Sequence, residues 1–284
     1  MTYREAYFSL IKENNEYLNR AAVKEILLDV GGFNDFISLL NHFDEQLINE
    51  DRLNELSNKV RDGYPLQYAL GHTYFINSNY EVNEDVLIPR PETEQLAIGS
   101  KMMIEKLFGK DQEIAIADIG TGSGILGIYL KESFTKSRVF AVDISEKSLL
   151  IAKKNALNHN VKIDFINDNM VDYFLNNNIK LDVLISNPPY IEDESTIDKN
   201  VFDYEPHSAL LAKPASKFYK EIILNIPKIM NANFFVSFEI GENMEIELSQ
   251  IIEENLPGVG YIFNKDMYNK TRFLYIIGDA SIDV

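Results

Sequence analysis

The residues best suited to chemistry are Asn187-Pro188-Pro189-Tyr190, which directly follow an apolar stretch at residues 181–186. Each residue that precedes a proline is pushed toward extended backbone, so this Asn-Pro-Pro-Tyr loop is stiff before a ligand arrives. The side-chain oxygen of Asn187 and the main-chain carbonyl of Pro188 can accept the two N–H groups of one amide or exocyclic amine, while the Tyr190 ring stacks on its planar face. We therefore expect Asn187, Pro188 and Tyr190 to be catalytic in methyl transfer to a planar nitrogen, with Pro189 as a further substrate contact.

A glycine-rich turn supplies the second half of the expected site. This glycine loop, Gly120-Thr121-Gly122-Ser123-Gly124, lies between a predicted strand at residues 114–119 and a predicted helix at residues 123–132. Such a turn lets the backbone approach a nucleotide-type cofactor closely, and its G-x-G-x-G spacing differs from that of dinucleotide binders. About 20 residues further on, the strand at residues 138–142 ends at Asp143, which is placed to bind ribose hydroxyls. Together with the Asn-Pro-Pro-Tyr loop, the turn predicts a methyl-donor site.

The remaining sequence predicts three parts. Apolar residues at helical spacing, such as Val23, Ile26 and Leu27, predict a helical domain over residues 1–72. A β-hairpin linker is expected over residues 73–88. Helices alternate with strands over residues 89–284, a pattern typical of a parallel sheet with helices on both faces. Two apolar stretches near the end, at residues 261–263 and 273–277, predict a terminal hairpin.

Several further motifs accompany the two loops. They are Pro65-Leu66-Gln67-Tyr68, Val86-Leu87-Ile88-Pro89-Arg90-Pro91-Glu92-Thr93-Glu94, Asp143-Ile144-Ser145, Glu205-Pro206 and Glu239-Ile240-Gly241. With these motifs, nearly the whole chain resembles the protein-(glutamine-N(5)) methyltransferases of peptide-chain release factors, the HemK/PrmC family. The proline-rich stretch at residues 88–94 distinguishes this family from the DNA adenine methyltransferases, which share the Asn-Pro-Pro-Tyr motif.

The resemblance implies an α/β fold of class I, the Rossmann-like fold of S-adenosylmethionine-dependent methyltransferases. It has a mostly parallel seven-stranded sheet with an antiparallel last strand, and here a small N-terminal helical domain that helps to recognise the release factor. The implied cofactor is S-adenosyl-L-methionine, with S-adenosyl-L-homocysteine as product. The implied reaction is methylation of the side-chain amide nitrogen of the glutamine in the Gly-Gly-Gln motif of release factors, a protein methylation that serves translation termination.

The expected cofactor contacts come from both loops and from the strand ends beside them. They are Gly120, Thr121, Gly122, Ser123, Gly124, Asp143, Ile144, Asp168, Asn169, Met170 and Asn187. By resemblance, Arg90, Pro91, Glu92 and Thr93 close the cofactor pocket, although Arg90-Pro91 equally fits a rigid domain junction. Glu205 is expected in the substrate channel, although a surface glutamate before a proline turn fits equally well. Asn169 departs from the family pattern, in which an aromatic residue often packs on the adenine.

Composition limits the partners. The chain of 284 residues carries 27 basic against 44 acidic residues, a net charge of −17, which disfavours direct binding to nucleic acid. The acidity suits a basic protein partner and a cationic cofactor, although solubility alone also explains it. With no cysteine and four dispersed histidines, we expect no metal site. No stretch is long and apolar enough to predict a membrane span, and no signal sequence is apparent, so a cytoplasmic protein is expected. We also expect a monomer.

Three other functions remain open from the sequence. A glutamine methyltransferase of a ribosomal protein has nearly the same core motifs. A nucleic-acid adenine methyltransferase can use Asn187-Pro188-Pro189-Tyr190 on a flipped base, but needs a basic recognition region that is missing here. A non-catalytic scaffold that binds the cofactor is disfavoured by the intact motifs.

Overall fold

The computed structural model describes residues 1–13 and 15–278, which divide into two compact units. The first unit contains Met1–Thr73 together with Asp198–Tyr204, a segment from the middle of the sequence. The second unit contains Tyr74–Ile197 and the residues from Glu205 onward. Within the described residues, no helix combines the length and apolar character that a bilayer crossing requires.

The first unit is helical. Its helices are α1 (Tyr3–Ile11), α2 (Arg20–Gly31), α3 (Phe36–Asn41), α4 (Glu50–Arg61) and α5 (Leu66–Leu70). Asn19 caps α2 by accepting the N–H groups of Ala21 and Ala22, and Gly32 ends it in the left-handed conformation at φ 65°. The apolar stripe of α2 is buried, with Val23, Ile26 and Leu27 fully inaccessible. This unit is therefore held together by helix packing.

A short helix from far along the chain completes the first unit. It spans Lys199–Tyr204 and is α10 in chain order. The Asn200 amide donates to the carbonyl of Gly63 at 3.0 Å, and the Tyr204 ring packs edge-on against Tyr64 at 5.1 Å. The sequence predicts no element here, because the segment is short.

A two-stranded sheet, β1 (His72–Phe75) and β2 (Ser78–Glu81), starts in the last two residues of the first unit and continues into the second. The main sheet of the second unit contains β3 (Ala115–Ile119), β4 (Arg138–Asp143), β5 (Asp164–Asn167), β6 (Leu181–Ser186), β7 (Met230–Glu239), β8 (Gly260–Lys265) and β9 (Thr271–Ile277). The order is β5-β4-β3-β6-β7-β9-β8, with β3 to β7 parallel and β9 antiparallel to both of its neighbours. This arrangement confirms the predicted fold class.

Helices cover both faces of the main sheet. They are α6 (Pro91–Phe108), α7 (Ile125–Ser133), α8 (Glu146–Asn158), α9 (Asp172–Asn177), α11 (Lys217–Ile229) and α12 (Glu245–Asn255). Because both faces are covered, the central strands contain consecutive buried apolar residues, as in β6, where Val183, Leu184 and Ile185 are all fully buried. Neither α9, which is short, nor α12 is predicted from the sequence.

The chain reverses its direction across the sheet between β3 and β6. From β3 it proceeds outward to β4 and β5, then returns to place β6 on the other side of β3. The two strands end together, with Ile119 paired to Ser186, and the Ser186 hydroxyl donates to the carbonyl of Ile119 at 2.7 Å. Ligands of open α/β sheets bind at such a reversal, outside the carboxyl ends of the strands. Both candidate loops start here.

Candidate active site

A cavity of about 440 Å³ lies at the carboxyl ends of the central strands. Its wall includes twelve of the residues that the sequence predicts for the site. These are Thr93, Gly120, Thr121, Gly122, Ser123, Asp143, Ile144, Asp168, Asn169, Met170, Asn187 and Pro189. The glycine loop and the Asn-Pro-Pro-Tyr loop are therefore brought together on one cavity.

The glycine loop presents its backbone to the cavity. Gly120 and Gly122 have φ values of 68° and 54°, in the left-handed region that favours glycine, and open space lies where a Cβ atom would be at either position. The N–H groups of Gly120 and Thr121 both donate to the carbonyl of Val142, at 2.9 and 3.0 Å. The loop is thus fixed to the end of β4 while one side of it stays open for a ligand.

Asp143 joins the glycine loop to the strand end beside it. One carboxylate oxygen accepts the N–H of Gly122 at 2.9 Å, and the other accepts the N–H of Ser145 at 2.9 Å. Burial raises the pKa of Asp143, and these backbone N–H groups partly oppose that rise. Each oxygen keeps a further lone pair for a ligand hydroxyl.

A second carboxylate, Asp118, lies behind the glycine loop. It is fully buried in β3, and its Oδ2 accepts the Thr121 hydroxyl at 2.6 Å and the Gly127 N–H at 2.9 Å. Its Oδ1 is buried with no partner among the described residues. Burial raises the pKa of Asp118 to about 6. Asp118 is not among the site residues predicted from the sequence, although an aspartate inside an apolar strand indicates a buried functional carboxylate.

The far end of the cavity is formed by Asp168, Asn169 and Met170, beyond β5. The Asn169 amide donates to Asp172 at 3.3 Å and to Glu221 at 3.2 Å, so its orientation is fixed by carboxylates. An aromatic ring is present on the cavity wall, but it is that of Phe218 on α11. An aromatic residue thus lines the cavity although residue 169 is an asparagine.

A series of hydrogen bonds holds the Asn-Pro-Pro-Tyr loop in place. The Asn187 amide nitrogen donates to the Thr93 hydroxyl at 3.2 Å, and that hydroxyl donates to Glu239 Oε2 at 2.8 Å. The Tyr190 hydroxyl donates to the other oxygen of Glu239 at 3.4 Å. A Cβ atom on Gly241 would lie 3.1 Å from the Tyr190 ring, so the ring packs closely on that backbone.

Glu239 is a buried carboxyl at the end of β7. It is 2% exposed, and burial raises its pKa to about 7, against the opposing effects of the Thr93 hydrogen bond and of Arg272. Burial likewise raises the pKa of Tyr190 far above its usual value. In the sequence, Glu239 stands out only as part of the Glu239-Ile240-Gly241 motif; its position as the last residue of an apolar strand is the signal that marks it.

Seven of the predicted site residues do not line the cavity. These are Arg90, Pro91, Glu92, Gly124, Pro188, Tyr190 and Glu205. Gly124 precedes α7 at φ 85°, and a Cβ atom there would lie 3.0 Å from Cβ of Ala152, so it serves close packing of α7 on α8. Pro91 is the first residue of α6, a position that favours proline.

Glu205 joins two walls of the cavity instead of lining it. Its buried carboxylate accepts the N–H of Ile88 at 3.0 Å and the Arg90 guanidinium at 2.6 Å. The segments on either side of this pair, at residues 85–89 and 206–211, contribute cavity-lining residues that sequence analysis does not predict. The pair therefore fixes the position of these segments.

Comparison with known proteins defines the class. A family model described as methyltransferase small domain matches residues 93–204. The N-terminal domain of human METTL16, solved in complex with SAH, has a similar fold with a TM-score of 0.52 at 18% identity, over 82% of this chain and 85% of that structure. The fold is therefore the class I fold of S-adenosylmethionine-dependent methyltransferases.

Sequence relatives narrow the class to a family. A release factor glutamine methyltransferase of Bacillus anthracis is 34% identical over 229 residues, which cover 80% of this chain and 81% of the relative. One from Mycoplasma mycoides subsp. mycoides is 34% identical over 273 residues, 94% of this chain and 95% of the relative. The chain belongs to the release factor glutamine methyltransferase family.

Proposed function

We propose that this protein transfers a methyl group from S-adenosylmethionine to the side-chain amide nitrogen of the glutamine in the Gly-Gly-Gln motif of peptide-chain release factors. The observation that carries the proposal is the meeting of two loops, at the ends of adjacent strands β3 and β6, on one cavity. The glycine loop has the open backbone that binding of a methyl donor requires. The Asn-Pro-Pro-Tyr loop has the two acceptors that binding of an amide requires. Membership of the family supports the identity of the substrate.

The cavity residues fit the cofactor. The open backbone of Gly120 and Gly122 receives its methionine part, Asp143 its ribose and residues 168–170 its adenine edge. Asp118 does not line the cavity; it holds the glycine loop in place through its hydrogen bond with the Thr121 hydroxyl. When bound, S-adenosylmethionine supplies an activated methyl group on a sulfonium and leaves as S-adenosylhomocysteine. The sulfur–methyl bond breaks as the nitrogen–methyl bond forms, and the acceptor nitrogen releases one of its two protons to solvent.

The Asn-Pro-Pro-Tyr loop holds the acceptor nitrogen. Asn187 Oδ1 and the carbonyl of Pro188 accept the two hydrogens of the glutamine amide, which draws the nitrogen toward the pyramidal geometry of methyl transfer. The two prolines keep both acceptors in place. Tyr190 covers the planar face of the amide, and closure by the segments beside Glu205 and Arg90 excludes water. The protein thus supplies proximity, orientation and polarisation.

The partner is a protein and not a nucleic acid. A net charge of −17 opposes the phosphate contacts on which nucleic-acid binding depends, and it favours a basic protein surface. The helical first unit is proposed to recognise the release factor. We further propose that the enzyme is a monomer and acts in the cytoplasm, where release factors work.

Mass spectrometry of purified release factors, incubated with the protein and isotope-labelled S-adenosylmethionine, tests the proposal. We expect one added methyl group on the glutamine of the Gly-Gly-Gln motif, and none after that glutamine is replaced by alanine. Parallel reactions contain DNA, tRNA, ribosomal RNA or ribosomal proteins. Label that appears only in one of these other substrates would contradict the proposal and identify the substrate class instead.

A further inference from the structure

We infer that Thr93 and Glu239 are positioning residues, which determine which way round the Asn187 side-chain amide lies. The inference rests on the proposed function, since it concerns how the acceptor amide of the substrate is held. The clamp works only if the oxygen of Asn187, and not its NH2 group, faces the substrate nitrogen. The two ends of an asparagine amide have nearly the same shape, so packing alone does not select between them.

The hydrogen bonds behind Asn187 have a defined direction. The Thr93 hydroxyl has a single hydrogen, which it donates to Glu239 Oε2 at 2.8 Å. Its oxygen can therefore only accept from Asn187, at 3.2 Å from Nδ2. If the NH2 group of Asn187 is held by Thr93, Oδ1 is left for the substrate. The Glu239 carboxylate thus sets the orientation of the Asn187 amide through Thr93, without contacting that amide itself.

The setting makes this direction hard to reverse. Thr93 and Glu239 are only 3% and 2% exposed, so water does not compete for their hydrogen bonds. The residues are held by three regular elements: Thr93 lies in the first turn of α6, Glu239 is the last residue of β7, and Asn187 directly follows β6. Strand register aligns β6 with β7, with Ser186 paired to Phe238, which places the next residues of the two strands side by side.

The same helix and strand contain a matched contact outside the site. Seven residues after Thr93, the Ser100 hydroxyl donates to the Ser237 hydroxyl at 2.9 Å, and both side chains are fully buried. This hydrogen bond also joins α6 to β7, but neither serine lines the cavity. If Thr93 and Glu239 only attached the helix to the sheet, loss of the Ser100 hydroxyl would have the same consequence as loss of the Thr93 hydroxyl.

Single-turnover methylation of a release factor, at saturating cofactor and substrate, tests the inference. Thr93→Val removes the hydroxyl and keeps the shape, so we expect the rate to fall about tenfold, the effect of one polar partner whose loss leaves Asn187 without a preferred orientation. Thr93→Ala is the second variant without the hydroxyl, for use if valine disturbs folding. Thr93→Ser restores the hydroxyl and is expected to recover most of the rate.

Ser100→Ala is the control. It is expected to lower the melting temperature about as much as Thr93→Val while the rate stays within about twofold of wild type. Equal rate losses in Ser100→Ala and Thr93→Val, or a loss in Thr93→Ser as large as in Thr93→Val, would overturn the inference. A wild-type protein that does not methylate the glutamine would instead overturn the proposed function, so the two failures are distinguishable.

Discussion

The two loops on the cavity are braced alike, each by a buried carboxylate that accepts a threonine hydroxyl. Behind the glycine loop, Asp118 accepts from Thr121 at 2.6 Å and from the N–H of Gly127 at 2.9 Å. Behind the Asn-Pro-Pro-Tyr loop, Glu239 accepts from Thr93 at 2.8 Å and from Tyr190 at 3.4 Å. Burial raises the pKa of both carboxyls, to about 6 and about 7.

The difference between the braces is the distance along the chain. The partners of Asp118 lie three and nine residues away, within one strand, turn and helix unit. Those of Glu239 lie 146 and 49 residues away. The glycine loop is thus a local structure, whereas the Asn-Pro-Pro-Tyr loop depends on the assembly of α6, β6 and β7. We expect changes at the first loop to act on cofactor binding and changes at the second to act on the rate.

The largest effect is expected at Asn187. Asn187→Ala removes one of the two acceptors that polarise the substrate amide, and the single-turnover rate should fall by a factor on the order of 10²–10³, as for loss of one preorganised polar partner. Cofactor affinity, measured by calorimetry, should change much less. A rate within a few-fold of wild type would remove the clamp from the mechanism.

Asp143 tests the other loop. Asp143→Ala should weaken S-adenosylmethionine binding by about 1.5–3 kcal/mol, roughly 10- to 150-fold, because hydrogen bonds to a charged group are lost. Part of this loss comes from the N–H groups of Gly122 and Ser145, which the carboxylate also holds. Asp143→Asn, which keeps one acceptor and the volume, should lose less. Unchanged affinity in a folded Asp143→Ala variant would place the ribose elsewhere.

Tyr190 distinguishes the ring from its hydroxyl. Tyr190→Ala removes the ring that packs on Gly241 and should lower the single-turnover rate about tenfold, since stacking on the amide is lost. Tyr190→Phe keeps the ring and loses only a long hydrogen bond of 3.4 Å to Glu239, so a loss below about threefold is expected. Equal losses in the two variants would mean that the hydroxyl, and not the ring, is important.

The smallest effect is a dependence on pH. Only the ionised carboxylate of Glu239, whose pKa burial raises to about 7, imposes a single direction on the Thr93 hydroxyl. The rate should therefore fall about threefold as the pH drops from 8 to 6, an effect of the size of one weakened hydrogen bond. The groups that face this carboxyl are Thr93 and Glu92 on α6, Tyr190 on the loop, Tyr219 on α11 and Arg272 on β9. Glu239→Gln, which does not titrate, should lack this part of the pH profile.

Stability gives an independent reading of the same group. A carboxyl whose pKa is raised on folding, here from 4.5 to about 7, is most favourable to the folded state when protonated. Its contribution to the free energy of unfolding therefore falls as the pH rises through this interval, and stays low above it. The melting temperature of Glu239→Gln relative to wild type should increase from pH 5 to pH 8. A constant difference would mean that Glu239 does not titrate in this range.

Much of the fold, and the part of the site proposed to bind the cofactor, could be predicted because the sequence patterns that indicate them are local. Alternating helices and strands predict the sheet, and the glycine loop with Asp143 can be recognised within about 30 residues, the length of one βαβ unit. The helix α12 is missed because it has four glutamates among its eleven residues and only Leu248, Ile251 and Ile252 buried. The segment Asp198–Tyr204 is missed because its place is determined by partners such as Gly63, far away in sequence.

The support behind the Asn-Pro-Pro-Tyr loop could not be predicted for the same reason. Thr93 matches a family motif, but nothing near it in the sequence indicates that its hydroxyl lies between Asn187 and Glu239. Glu205 is similar: its carboxylate binds Ile88 and Arg90, which precede it by more than 110 residues. In both cases the tertiary structure, and not the local sequence, determines what the side chain does.

The most direct test of the account compares both loops in one assay. Single-turnover methylation of a release factor is measured for Asn187→Ala and Asp143→Ala, with the cofactor raised until each variant is saturated. Asp143→Ala should then regain a rate within about fivefold of wild type, since its defect lies in binding, while Asn187→Ala should stay slower by a factor on the order of 10²–10³. A comparable residual defect in both variants, or a nearly normal rate in Asn187→Ala, would contradict the division of roles between the two loops.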